Sequence, residues 1–172
     1  MTLIRIGVLG AAKVAEYALI APVTDNDGAI ISAIASRSVE RAQAYAQKHS
    51  IPDISNDYQA LVEREDIDLV YNALPPCEHA AMTIAALRAG KPVLCEKPFA
   101  MNANEARQMV SVAQETGLPV IEAFHYRFHP AFSFILDELR KGKIGKVQSI
   151  SCLLYTSPSP RDRTRSRMPS SA

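Results

Sequence analysis

Glu96-Lys97-Pro98 is the tripeptide best equipped for chemistry in this chain. Proline biases the residue before it towards extended backbone. Lys97 is therefore expected to aim its ammonium out of the end of the preceding strand, Val93-Leu94-Cys95, rather than into a helix. An ammonium at such a place can hydrogen-bond a reacting hydroxyl and ease the loss of its proton. Glu96 is suited to ribose hydroxyls or to pairing with the lysine. An isolated Glu-Lys-Pro would be read as a surface ion pair; a place at a strand end opposite a glycine loop favours the chemical reading.

That loop follows a short apolar strand, Leu3-Ile4-Arg5-Ile6. Against the pattern G-x-G-x-x-G, the chain reads Gly10-Ala11-Ala12-Lys13-Val14-Ala15, with alanine at the second and third glycine places. Gly10 can turn the chain sharply, and the small Ala11 and Ala12 let backbone approach a ligand. Lys13 and Val14 open a helix expected to continue to Leu19, whose unpaired N–H groups suit a pyrophosphate. Alanine is tolerated at the third place and slightly crowds a phosphate at the second. The alternative is an ordinary packing turn between strand and helix.

The second strand, Ala29 to Ala35, ends at Ser36-Arg37-Ser38. A carboxylate at this strand end would hold the ribose 2′-hydroxyl of NAD; a hydroxyl and a guanidinium are the chemistry of a 2′-phosphate, which favours NADP, with NAD the other choice. In the competing reading, Ser38 caps a helix and Arg37 is a solvated loop charge. A further strand, Ile67 to Asn72, leads into Ala73-Leu74-Pro75-Pro76. The two prolines are expected to bar regular helix and hold a stiff apolar edge for a nicotinamide face. His79, in the first turn of the next helix, is placed either to donate to a ribose or act as acid or base, or to serve as a structural hydrogen-bonder. His125 and His129 have the spacing of zinc ligands, but Pro130 argues against a helix there and no cysteine is near, so no metal is expected. Arg127 or Tyr126 facing cofactor or substrate fits better.

The elements that must position these residues alternate along the chain. Helical patterns at 39–49, 57–63, 78–89 and 104–116 separate apolar runs at 29–35, 67–72, 93–95 and 120–124, the stretch 51–54 being too short to count. The fold class is therefore α/β, a doubly wound parallel sheet of the dinucleotide-binding type. A further helix, Ala131 to Arg140, precedes Lys146 to Ile150, which reads as the first strand of a second domain. With 172 residues, 48% apolar content and a formal charge of +1, nothing points to nucleic acid. No apolar run approaches the roughly 20 residues of a membrane span. Cysteine occurs only at 77, 95 and 152, without paired spacing, which suits reduced thiols in a cytoplasm.

From Cys152 the composition turns to Ser, Pro and Arg without a folding period. Cys152 to Asp162 and Ser166 to Ala172 resemble a translated sequencing-library adapter, with Arg163-Thr164-Arg165 across its index. The expected organisation is a nucleotide-binding domain over 1–125, the start of a truncated substrate and oligomerisation domain over 126–151, and a disordered non-native tail over 152–172.

Taken in order, Arg5 to Lys13, Ala35-Ser36-Arg37, Asn72 to Pro76 with His79, Ala89 to Pro98, and Tyr126 to Pro130 resemble the Gfo/Idh/MocA oxidoreductases from about Leu3 to Ile150. The Gly10-Ala11-Ala12-Lys13 and Ser36-Arg37 forms look most like the dihydrodiol dehydrogenase and glucose-fructose oxidoreductase branch, which uses NADP. The resemblance implies that Lys97 is the active-site lysine and that the substrate is a sugar, cyclitol or diol. It also implies a second half, an antiparallel sheet that covers the nicotinamide, supplies a His or Tyr, and makes the full-length protein a homo-oligomer. This chain lacks that half, so the expectation is cofactor binding without turnover. The competing class is a non-enzymatic, cofactor-sensing regulator.

Overall fold

The structure is a computed structural model and describes residues 3–55 and 57–151. It divides into two compact units between His125 and Tyr126. In the first, six strands form one sheet: β1 Ile4–Leu9, β2 Ala29–Ala35, β3 Asp53–Ser55, β4 Leu69–Asn72, β5 Val93–Cys95 and β6 Val120–Glu122. Their order is β3-β2-β1-β4-β5-β6, and every pairing is parallel. This is the doubly wound dinucleotide-binding order, with its reversal between β1 and β4.

Strands buried on both faces need apolar residues at every position, and β2 with the end of β1 has them: Val8, Leu9, Ala33, Ile34 and Ala35 are fully buried. Successive side chains point to opposite faces. Leu9, Ala33, Ala35 and Val70 accordingly join a core with Leu61, Leu87 and Met109, while Ile6, Val8, Ile34 and Tyr71 join a second with Ala15, Ile20 and Tyr45. A Cβ at Gly7 would stand 2.6 Å from Leu61 Cδ2, so a side chain there would push Leu61 aside. β3, too short to read in the sequence, is a strand because Ala33, Ile34 and Ala35 of β2 give it a ladder.

The helices are α1 Lys13–Ala15, α2 Ala21–Thr24, α3 Val39–His49, α4 Tyr58–Val62, α5 Pro76–Arg88, α6 Ala103–Thr116 and α7 Pro130–Arg140. Four are capped by side chains that accept first-turn N–H groups: Ser38 on α3, Asp57 on α4, Asn102 on α6 and His129 on α7. The regular helix expected through Leu19 is instead interrupted. Between α1 and α2, residues Glu16–Ile20 form a wide π turn in which Ala21 N–H reaches back five residues to Glu16 O. Pro22 supplies the reason: it has no N–H, and its ring would press on the carbonyl four residues earlier.

Three further expectations change. Pro75 and Pro76 do not bar a helix; α5 begins at Pro76 with Pro75 as its cap, because proline suits a first helical position whose N–H needs no partner. The strand expected over 67–72 starts at Leu69, and Ile67 packs in the core ahead of it. Lys146 to Ile150 is not a strand, since a strand exists through its ladder and no described segment pairs with this one.

In the second unit, His129 caps α7, its Nδ1 accepting from Ala131 N–H at 3.2 Å. Tyr126 meets the edge of Phe132 at 5.0 Å. The tail expected over 152–172 lies outside the described residues. Among the described residues no helix is long and apolar enough to cross a membrane.

Candidate functional site: a cavity at the strand-order reversal

Register brings the strand ends level. Leu9 pairs with Ala35 and with Asn72, and Asn72 pairs with Cys95. The residues that leave the sheet together are therefore Gly10, Ser36, Ala73 and Glu96. Ligands of open parallel sheets bind beyond such carboxyl ends, at the reversal of strand order.

Gly10 makes the turn at φ +93°, a conformation side chains resist. Its N–H donates to Ala35 O at 2.8 Å, and Ala73 N–H donates to Leu9 O at 3.0 Å. A Cβ at Gly10 would stand 3.0 Å from Ala73 O, so the two loops meet there without room to spare. Two side chains of α3 tie the following carbonyls: Arg41 donates to Ala11 O and Tyr45 Oη to Ala12 O, each at 2.9 Å. Burial, with the charge of Glu16, pushes the Tyr45 phenol up to about 12, so it remains a donor.

These loops enclose a cavity of about 180 Å³. Gly10, Ala11 and Ala12 form one wall, Ala73, Leu74 and Pro75 another, and Ser36 with Arg37 a polar end. Eight of the residues expected from sequence thus converge. Arg41 and Tyr58 also line the cavity and were not anticipated. Arg41 carried a signal: it sits in the first turn of α3, where a cation opposes the positive end of the helix dipole and needs another reason to be there. Tyr58 had none, because only the packing of α4 brings it in. Arg37 is exposed and has no charged or hydrogen-bonding partner among the described residues. Ser38 caps α3 as the competing reading held, and Arg37 lines the cavity. Asp57, a carboxylate, borders Ser36, Arg37 and Tyr58 in an adjoining hollow of about 220 Å³.

Lys13 and Val14 do not line this cavity. Lys13 turns to a separate hollow with Glu16 and His49, and Val14 packs against the Tyr45 core. A helix sends successive side chains about a hundred degrees apart, so these two reach the glycine loop only through their backbone. A larger hollow of about 640 Å³ opens at the start of β2, against Ala29 and Ile30, at the opposite end of that strand.

Beyond β5, Glu96 is 4% exposed and faces inward. Its Oε1 accepts from Tyr71 Oη at 2.7 Å, and its Oε2 accepts from Lys97 N–H at 3.2 Å. His125 Nε2 lies 3.9 Å from Oε1. Burial and this carboxylate push the Tyr71 phenol upward, which keeps it a donor. Glu96 meets the lysine through its backbone N–H rather than its ammonium, and its oxygens serve Tyr71 and the Lys97 backbone. The Lys97 side chain is exposed and has no ion-pair partner among the described residues, and the Lys97–Pro98 bond is cis. Burial pushes the Cys95 thiol up to about 12, which makes it unreactive.

His79 takes the structural alternative. It is 1% exposed, with Nδ1 2.8 Å from Pro98 O and Nε2 2.8 Å from Leu74 O. Both ring nitrogens face backbone carbonyls, which leaves neither directed at a cofactor and corrects its expected place as a cofactor contact. Arg127 lies in the second unit, exposed, in the single turn His125–Phe128, where proline at 130 had argued against a helix. The turn is compatible with Pro130 because it ends before it. Among the described residues, no group of three or more His, Cys, Asp or Glu side chains is arranged to hold a metal ion.

Residues 4–124 match the Gfo/Idh/MocA profile, described as an oxidoreductase family with an NAD-binding Rossmann fold. The chain is 35% identical over 162 residues to a dTDP-3,4-didehydro-2,6-dideoxy-alpha-D-glucose 3-reductase of Actinomadura kijaniata, covering 94% of this chain and 48% of that protein. It is 37% identical over 120 residues to the trans-1,2-dihydrobenzene-1,2-diol dehydrogenase of Bos taurus, covering 70% and 36%. Among solved structures, a 3-ketoreductase from Actinomadura kijaniata in complex with NADP and TDP-benzene superposes with a TM-score of 0.75 at 36% identity, covering 82% of this chain and 43% of that one. The chain spans less than half the length of these relatives.

Proposed function

This chain belongs to the Gfo/Idh/MocA oxidoreductase family, and on that premise we propose that it is the nucleotide-binding half of an NADP(H)-dependent oxidoreductase. The whole protein moves hydride to or from a carbon bearing a hydroxyl in a sugar, cyclitol or diol. The observation that carries this reading is the convergence of Ser36, Arg37 and Arg41 on one cavity with the Gly10 turn. Two guanidiniums and a hydroxyl suit a phosphate monoester on the ribose, which only NADP carries.

The residues present fit the dinucleotide. Gly10, with no room for a Cβ beside Ala73 O, lets the loop backbone approach a pyrophosphate, and Ala11 and Ala12 keep that wall low. Tyr58 offers a ring face to adenine, and Ala73, Leu74 and Pro75 an apolar wall towards the nicotinamide end. When bound, the nicotinamide supplies the hydride acceptor or donor. Lys97 Nζ hydrogen-bonds the reacting oxygen and steadies the charge that develops there, being in no ion pair among the described residues. Glu96, fixed by Tyr71, holds the Lys97 backbone. Lys97 by itself does not complete the acid–base chemistry of hydride transfer, and the chain alone is expected to bind cofactor without turnover.

Calorimetric titration of the chain with NADPH and NADH tests the reading. Tighter binding of NADPH is expected, and equal affinity would overturn the assignment of Ser36, Arg37 and Arg41. In the whole protein, cofactor binding without turnover on any polyol or sugar would favour the sensing class instead.

A further inference from the structure

The imidazole of His79 connects two loops with different tasks. Leu74 is in the wall of the cofactor cavity, and Pro98 follows Lys97 in the turn beyond β5. The ring lies between their carbonyls, 2.8 Å from each, and is 1% exposed. Its own surroundings are equally fixed. Asn72 Nδ2 donates to His79 O and to Thr83 Oγ1, both at 3.2 Å, and Asn72 Oδ1 accepts from Leu74 N–H at 3.3 Å. Asn72 and Thr83 are fully buried. Thus the end of β4, the first turns of α5 and the Lys97-Pro98 turn share one buried polar network, and His79 is its only described link to Pro98 O. Such networks specify geometry, because a broken member leaves a buried acceptor without a donor.

We propose that His79 is a positioning residue, a strut that holds the Lys97-Pro98 turn at a fixed place against the Leu74 wall and so keeps the ammonium in register with the bound cofactor. The proposal rests on the functional reading above. Each ring nitrogen faces one carbonyl, so the two ends of the strut can be altered separately. Asparagine and glutamine each replace one end. His79→Asn keeps an amide donor where Nδ1 stood and retains the Pro98 bond; His79→Gln keeps one where Nε2 stood and retains the Leu74 bond.

The test uses the 172-residue chain, its lysines reductively methylated with ¹³C-formaldehyde, and NADP⁺ as the probe. The Lys97 methyl signal is assigned by its loss in Lys97→Arg. In the parent chain, NADP⁺ is expected to shift that signal. In His79→Gln the shift is expected to fall by at least half while the dissociation constant changes less than threefold. In His79→Asn the shift is expected to survive while the dissociation constant rises. Both variants behaving alike, or neither differing from the parent, would overturn the strut. Binding of NADP⁺ with no Lys97 shift in the parent would overturn the placement of Lys97 and the strut with it; no binding of NADP⁺ would overturn the functional reading first. Should either variant fail to fold, cross-hydrogen-bond couplings from the His79 ring of the parent chain to ¹³C-labelled Leu74 and Pro98 carbonyls decide the matter. A coupling to the Pro98 carbonyl is expected, and its absence would overturn the strut.

Discussion

Arg37→Ala separates the two cofactors most cleanly. Arg37 is exposed and makes no hydrogen bond or ion pair among the described residues, so its removal leaves no buried group without a partner and costs little stability. Surface changes of this kind stay within about 0.5 kcal/mol. Its contribution therefore appears only when a 2′-phosphate is present. A hydrogen bond to a charged group contributes about 1.5–3 kcal/mol, which at about 1.4 kcal/mol per decade is roughly a 10- to 150-fold rise in the NADPH dissociation constant. Screening at the exposed rim pulls the value towards the lower end, more so in high salt. NADH has no charge at that position, and its affinity is expected to stay within a factor of about two, since Arg37 then interacts only with solvent. Arg41→Ala is the informative companion. Arg41 also donates to Ala11 O, so its loss releases the glycine loop and is expected to weaken both cofactors. The assay is calorimetric titration of the parent and both variants with each cofactor at two ionic strengths, with thermal melts as the control for folding. Equal losses for NADPH and NADH in Arg37→Ala would refute the reasoning.

Other perturbations address the remaining links. In a protein carrying both halves, Lys97→Met is expected to lower kcat by about 10²- to 10⁴-fold, the usual contribution of a positioned proton-transfer group, with little change in cofactor affinity; a variant with near-normal kcat would make the lysine structural. Asp68 accepts from Arg5 Nε, Nη2 and N–H at 2.8–2.9 Å, and these hydrogen bonds hold its carboxyl down at about 2. A carboxylate lowered in the fold stabilises it above the usual value near 3.8 and loses that contribution as pH falls towards about 2. Asp68→Asn is therefore expected to flatten this acid limb of the melting-temperature profile, modestly because the pair is partly exposed; an unchanged limb counts against it. Deleting residues 152–172 is expected to leave the melting temperature unchanged or higher, because their composition offers no core-forming period; a large drop would show that the segment packs.

Much of this protein is written locally. The apolar runs at 29–35 and 93–95 are the observed β2 and β5, residue for residue, and the helix over 39–49 is α3 with Ser38 as its cap. Periodicity and caps act within one or two turns of chain, so they survive without tertiary context. The Gly10 turn is legible for the same reason, since a φ of +93° selects glycine wherever it occurs. Tertiary structure decided what depends on a partner distant in sequence. β3 exists through its ladder with β2. Glu96 turns inward because Tyr71, on the neighbouring strand, offers it a buried hydroxyl. Arg41 and Tyr58 reach the cavity because α3 and α4 pack where they do. Histidine at position 79 could have faced a ribose or the backbone; the carbonyls of Leu74 and Pro98, brought together by parallel β4 and β5, made that choice. Sequence thus chose the elements and placed the chemistry at strand ends, while the sheet register, which levels those ends, determined which side chains meet.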